Sequence, residues 1–307
     1  MYCIRFLSIH FYAATNPSIR LGGMLDDRKS EVYKLLPSFW IPKTVLVTQE
    51  DKDLDKALQD LNYPIIIKPD IGFKGFLVAR LDNDKQLIEY SKLYESKDFL
   101  LQEFVDFQKE YSVLMYRYPE TGVVGVSSFI EKTYPEVIGD GVKTLKQLID
   151  DDQNPFLKKD WIKVKLKEEL DSTLAKGEVK RIDIIGNYSR GSKFHSLNES
   201  IDNKLVDWAS NLFNEIKGID FCRLDLKANS VDEMKKGEFK LLELNGAKSE
   251  PLHIYDPKYT FSRVLKDIHI HWKILAQIAK QRIKLSYEMP PLIDGLKSWW
   301  ITKNIVK

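Results

Sequence analysis

The 307-residue chain has only two cysteines, Cys3 and Cys222, far apart and without metal-type spacing. That excludes a disulfide framework and a cysteine metal site, and it fits a reducing compartment. Cys222 lies inside an apolar run and reads as a small buried hydrophobe, not a nucleophile. A long apolar run is also missing. Cys3–Ala14 is fairly apolar, but Arg5 and His10 break it, and nothing else approaches the ~20 residues needed to span a bilayer. The expectation is a cytoplasmic protein with no membrane contact. There is no excess of one charge either: 47 Lys+Arg against 45 Asp+Glu leave +2, which removes the basic field expected of a nucleic-acid binder. Repeats and low-complexity segments are absent.

What is present is a globular composition, 43% hydrophobic and 11% aromatic, long enough for a sizeable core. Short β-branched runs alternate with amphipathic segments. Thr44–Val47, Ile65–Lys68, Phe76–Arg80, Phe99–Val105, Glu110–Tyr116 and Gly122–Ile130 read as strands. Helices are expected over Lys29–Leu36, stopped by Pro37, and over Asp51–Leu61, Lys85–Tyr94, Thr144–Asp151, Asp202–Ile216 and Tyr259–Ile283. The charged stretch from Asp152 to Gly177 reads as a surface helix pair. Trp299-Trp300 are expected on a tail folded back on the core. The pattern argues α+β layers with antiparallel sheets, not a doubly wound parallel sheet.

The stretch with most chemistry is Phe221–Asn245. Two apolar runs, Phe221–Leu226 and Phe239–Leu244, flank a polar connection, the pattern of a hairpin. Arg223 and Asp225 are two apart, and so are Glu243 and Asn245; on a strand each pair shares a face. The hairpin would then offer a cation and three oxygen ligands, suited to Mg²⁺ shared with substrate phosphates. A hairpin with a solvated polar face fits the same residues. A second constellation is Lys68-Pro-Asp-Ile-Gly-Phe-Lys-Gly75, a strand ending in lysine and followed by two glycines. Such a loop can wrap a phosphate with backbone N–H groups, though it is neither a Walker A loop nor a Rossmann fingerprint, and an ordinary turn fits it too. A third is Gln102-Glu103-Phe104-Val105 with Glu110 beyond, where carboxylates could accept from ribose hydroxyls or simply be solvated. His253 fits a substrate contact or a packing histidine. His269 and His271, two apart on a helix, point to different faces and make no metal pair.

The order of these motifs resembles the ATP-grasp superfamily, in particular the carboxylate–amine ligases similar to D-alanine–D-alanine ligase, over about Lys29–Pro251. The resemblance implies an ATP-grasp fold of two subdomains gripping ATP between antiparallel sheets. It implies that Lys29 and Lys68 touch the nucleotide phosphates and that Gly72, Lys74 and Gly75 belong to the loop closing over them. Glu103, Phe104 and Val105 match the hinge that reads adenine, and Glu110 the ribose carboxylate. Asp225, Glu243 and Asn245 match the Mg²⁺ ligands, with Mn²⁺ as an alternative. Arg223 matches the arginine that steadies the transferred phosphoryl group. Asn187, Arg190 and Gly191 resemble the Asn-x-x-Arg-Gly stretch beside the acceptor carboxylate, Asn187 on the nucleotide side and Arg190 with a catalytic role. The implied activity activates a carboxylate as an acylphosphate and joins it to an amine, releasing ADP and phosphate. A phosphotransferase and a non-catalytic nucleotide-binding subunit are the alternatives. Only 28 residues precede Lys29, so the usual N-terminal α/β domain is expected to be lacking, with a second chain or a homo-oligomer as ways to complete the site. The expected domains are a short segment 1–25, an N-terminal subdomain 26–105, a C-terminal subdomain 106–256 and a helical extension 257–307.

Overall fold

Alternation decides which way each strand faces. In Phe221–Ala228, Cys222, Leu224, Leu226 and Ala228 join the main core, which leaves Arg223, Asp225 and Lys227 on the opposite face. The computed structural model describes residues 10–25, 27–72, 75–94 and 97–305. In chain order the strands are β1 Thr44–Val47, β2 Ile65–Pro69, β3 Ala79–Leu81, β4 Phe99–Glu103, β5 Lys109–Arg117, β6 Val124–Thr133, β7 Glu136–Ile138, β8 Val179–Arg181, β9 Lys193–Ser196, β10 Phe221–Ala228 and β11 Lys240–Asn245. The helices are α1 Lys29–Tyr33, α2 Leu54–Leu58, α3 Asp84–Ser91, α4 Leu145–Asp151, α5 Lys159–Lys165, α6 Asn203–Glu215, α7 Val231–Lys235, α8 Phe261–Lys284 and α9 Leu292–Ile305.

The chain divides into two units, one of Met1–Glu131 with Ser196–Lys307 and one of Lys132–His195. The larger unit contains two antiparallel arrays. The first runs β1-β4-β2-β3 and packs Ile65, Ile67, Leu81, Leu101 and Tyr94 into its own core. The second runs β11-β10-β5-β6, and α6 covers it with Leu205, Trp208, Leu212 and Phe213. The α+β reading with antiparallel sheets is borne out. In the smaller unit, β7 pairs with β8 and the core gathers Val137, Leu145, Ile149, Ile162 and Ile182.

Local signals place most helix starts. Asp53, Asn83, Asp202 and Ser230 each accept from a backbone N–H in the first turn, and Thr144 with Gln147 makes a capping box. Three differences from the sequence reading have physical causes. The connection expected to be a polar loop after β10 contains α7, capped by Ser230 and anchored by buried Met234. Residues 152–177 hold one helix, α5, and a single 3-10 turn in place of a helix pair. The buried side of α8 carries His271, Ile274, Leu275, Ile278 and Ala279, whereas Phe261 and Leu265 are exposed, because the helix docks by its second half against Phe11, Ala14 and Phe221. Trp299 and Trp300 are likewise exposed. No helix among the described residues is long and apolar enough to cross a membrane.

Candidate active site

The site is built from the outward face of β10 and β11 and from α1 and β2. In the β10–β11 ladder Arg223 lies opposite Asn245 and Asp225 opposite Glu243, so all four side chains share one face. Arg223 Nη2 meets Asp225 Oδ2 at 3.0 Å, and the Asn245 side-chain amide donates to the same oxygen at 3.1 Å. A bulge follows, since Leu226 pairs with Leu241 and Leu242 is skipped. The freed carbonyl of Leu242 accepts from Tyr33 Oη at 2.5 Å and from Lys68 Nζ at 3.2 Å. Lys68 also donates to Tyr33 Oη and to Gln102 Oε1, each at 2.8 Å. Lys68 as a whole is only 6% exposed, and burial lowers its pKa to about 8, against the pull of Glu243 in the other direction.

Lys29 reaches the same place by a different route. Helix α1 has no side-chain cap of its own. Instead the buried Asp70, just past Lys68, accepts from the Ser30 N–H at 2.8 Å and from the Ser30 hydroxyl at 3.0 Å, while its carbonyl accepts from the Lys29 N–H at 3.0 Å. Arg28 balances Asp70 at 3.2 Å and Asp98 at 2.8 Å. So fixed, Lys29 Nζ lies 3.5 Å from Glu243 Oε1 and 3.4 Å from the Gly72 carbonyl. Burial opposes ionisation of Glu243, yet Lys29, Lys248 and Arg223 together hold its carboxyl below the usual range. For Arg223 burial also works against the charge, and Asp225 outweighs it.

The structure thus brings Lys29, Lys68, Arg223, Asp225, Glu243, Asn245 and Gly72 together. Among the described residues no three His, Cys, Asp or Glu gather at metal-binding range. Two carboxylates with the Asn245 amide are still an all-oxygen set that suits Mg²⁺ held jointly with substrate phosphates. Gly75 follows with φ of +70°, and Lys74 lies outside the described residues. Glu103 is exposed, and one of its oxygens accepts from the Lys43 N–H at 3.2 Å. Phe104 and Val105 begin the segment joining the two arrays. The Phe104 ring is flanked by Arg80 at 4.7 Å and Lys227 at 5.2 Å, and Lys227 Nζ donates to the Val105 carbonyl at 2.9 Å. Glu110 is buried and pairs in register with Lys227.

Asn187 and Arg190 belong to the smaller unit. The Asn187 amide oxygen accepts from the Ser189 N–H and hydroxyl, and Arg190 is gripped by Asp183 at 2.8 Å and stacked on Trp161 at 3.9 Å. His253 proves to be a packing histidine, buried, 3.3 Å from Asp267, with burial pushing its pKa down. His269 is exposed and His271 buried, on different faces of α8.

Tyr33, Gln102, Asp70 and Lys227 were not singled out from sequence. Two had a signal: Tyr33 is four residues after Lys29 on a helix, and Lys227 continues the alternation of Arg223 and Asp225. Gln102 and Asp70 act through pairings far apart in the chain.

No family model matches the chain. N5-carboxyaminoimidazole ribonucleotide synthase of Staphylococcus aureus (strain MRSA252) is 30% identical over 95 residues, 31% of this chain and 25% of the relative. The resemblance to the ATP-grasp ligases holds. The chain matches about a quarter of the length of that relative. Among solved structures, the S. aureus N5-carboxyaminoimidazole synthetase complexed with ADP aligns over 74% of this chain and 47% of its own, at 14% identity and a TM-score of 0.45. D-alanine–D-alanine ligase from Bacillus anthracis aligns over 87% and 71%, at 13% identity and a TM-score of 0.46.

Proposed function

We propose that this chain carries the site of an ATP-dependent carboxylate–amine ligase. The observation behind the reading is the convergence of two lysines from separate elements, Lys29 and Lys68, on a strand face that bears Arg223, Asp225, Glu243 and Asn245. Moving a γ-phosphoryl group to a carboxylate spreads negative charge over several oxygens, so catalysis is mostly positioning and charge neutralisation. Lys68, held by Tyr33, Gln102 and the Leu242 carbonyl, presents one preset cation. Lys29 presents a second and Arg223 a third, at the far end of the metal face. Asp225, Glu243 and Asn245 would hold Mg²⁺, which when bound shields the phosphate charge. The segment Glu103–Val105 with Glu110 would take the base and ribose. The carboxylate oxygen attacks the γ-phosphorus, ADP leaves, and an amine then displaces phosphate from the acylphosphate to give an amide. Exclusion of water during the second step falls to the glycine loop. The substrates are small molecules, one a carboxylate and one an amine. The protein is assigned to the cytoplasm, and another copy or a partner chain is a further component of the reading.

The test is ADP release from Mg-ATP across a panel of carboxylates, with and without amines. Amine-dependent release with an amide product is expected. Release without an amine, with a stable phosphorylated product, would turn the assignment to a phosphotransferase. Asp225→Asn with Glu243→Gln should lose at least ~100-fold in Mg-dependent turnover with folding intact, the scale seen when a preorganised charge site is dismantled. Unchanged turnover in that double variant would sink the metal assignment.

A further inference from the structure

The face that holds Arg223 and Asp225 continues onto β5, where the ladder sets Lys227 opposite Glu110, Asp225 opposite Ser112 and Arg223 opposite Leu114. Directly opposed residues of an antiparallel pair project to the same side, with Cβ atoms ~4.5–5.5 Å apart. The alternate residues of β5, Tyr111, Val113 and Met115, go into the core behind. Ser112 therefore stands on the site face, on the rung of Asp225 and one rung along from Glu110. It is 2% exposed, and its hydroxyl has no hydrogen-bond partner within the described protein. A buried hydroxyl left unpaired costs roughly 1–3 kcal/mol, so a fold that keeps one needs a reason for it. A valine or alanine would fill the position on a strand at no such cost. Arg223 Nε, on the neighbouring rung of the same face, is also buried without a partner.

We propose that Ser112 is a nucleotide-binding residue, its hydroxyl donating to an oxygen of the phosphate chain beside the Asp225–Glu243 rung. This rests on the nucleotide reading of the site given above. The placement follows from the ladder: the Glu110–Lys227 rung lies toward the Phe104–Val105 segment, and Ser112 is the polar side chain of β5 on the next rung of this face, beside Asp225, which lies opposite Glu243. Its energetic logic is distinctive. The hydroxyl is a liability in the free protein and is satisfied only when ligand arrives, so its removal should move stability and affinity in opposite directions.

The experiment is Ser112→Ala in the full chain, with calorimetric titration of MgADP and thermal unfolding of the free protein. The expected result is at least a tenfold loss of ADP affinity, the scale of one hydrogen bond to a charged acceptor. The unfolding midpoint of the free protein should be equal to or above wild type. Wild-type ADP affinity in Ser112→Ala overturns the proposal. So does a lowered midpoint of the free protein, because it shows the hydroxyl to be paired inside the fold. The Asp225→Asn variant keeps the two readings apart. If wild type binds MgADP, Asp225→Asn loses it and Ser112→Ala does not, Ser112 alone is misassigned. If wild type does not bind MgADP, the nucleotide reading falls and Ser112 with it.

Discussion

At the scale of single residues the informative group is Lys68. Its three acceptors, Tyr33 Oη, Gln102 Oε1 and the Leu242 carbonyl, are all neutral, and burial is what lowers its pKa to about 8; Glu243 facing it only partly restores the charge. The consequences for binding and for stability have opposite sign. A phosphate ligand needs the ammonium, so nucleotide affinity should fall as pH rises through 8 toward 9. The free protein behaves the other way. Between about pH 8 and the unfolded value of 10.5 the folded state binds fewer protons than the unfolded one, so this residue's contribution to stability rises across that window. Lys68→Arg keeps the charge at every pH in range and should flatten the affinity profile. ADP titrations at pH 7.0, 8.0 and 9.0 check it, and parallel profiles for wild type and variant would show that Lys68 does not face the phosphates.

At the scale of elements, the site depends on how the hairpin ends. Gly246 follows Asn245 directly, and a Cβ there would sit 2.4 Å from the Gly22 carbonyl and 2.9 Å from the Gly23 Cα. The segment Arg20–Gly23 lies against it with Leu21, Gly22 and Gly23 all at positive φ, and Ala247 N–H donates to the Gly22 carbonyl at 2.8 Å. Both partners are backbone, so neither can turn aside. Gly246→Ala should therefore cost about 1–3 kcal/mol, the range for overpacking a close contact, read as a lower urea midpoint at unchanged slope. A variant as stable as wild type would mean the segment can shift freely. The sequence already carried the hairpin, its two strands and the face of each polar residue, because a period of two is local. It also carried the capped helices, whose signals lie within one turn. The bulge that frees the Leu242 carbonyl was not legible, since register depends on the partner strand. The capping of α1 by Asp70 was not legible either, because the cap is supplied from forty residues away. The same limit explains α8: its helical spacing was plain, but which half would be buried depended on where Phe11 and Phe221 lie.

At the scale of the molecule, one buried carboxylate holds three separate parts of the larger unit in place. Asp220, fully buried, receives Arg117 at the end of β5 at 2.9 Å and Arg282 from the last turn of α8. Its own N–H and that of Phe221 donate to the Asn16 amide oxygen at 3.0 Å, which ties the stretch before Gly22 to the base of β10. A carboxylate out of water is costly, and two guanidinium groups offset that cost only while both reach it. Asp220→Ala takes the carboxylate from Arg282 and leaves Arg117 only the Phe213 and Ile219 carbonyls, and should cost about 3–5 kcal/mol, the range for breaking a buried pair from one side. Arg282→Met should cost less, since Arg117 still pairs with Asp220 and the methionine retains much of the apolar stem. Urea unfolding of both variants reads the order directly. The carboxylate lies one strand position before Phe221, at the root of the hairpin that bears Arg223 and Asp225, so the looser Asp220→Ala protein should also bind MgADP more weakly than Arg282→Met. Equal destabilisation by the two substitutions would show that α8, not the shared carboxylate, carries the tie.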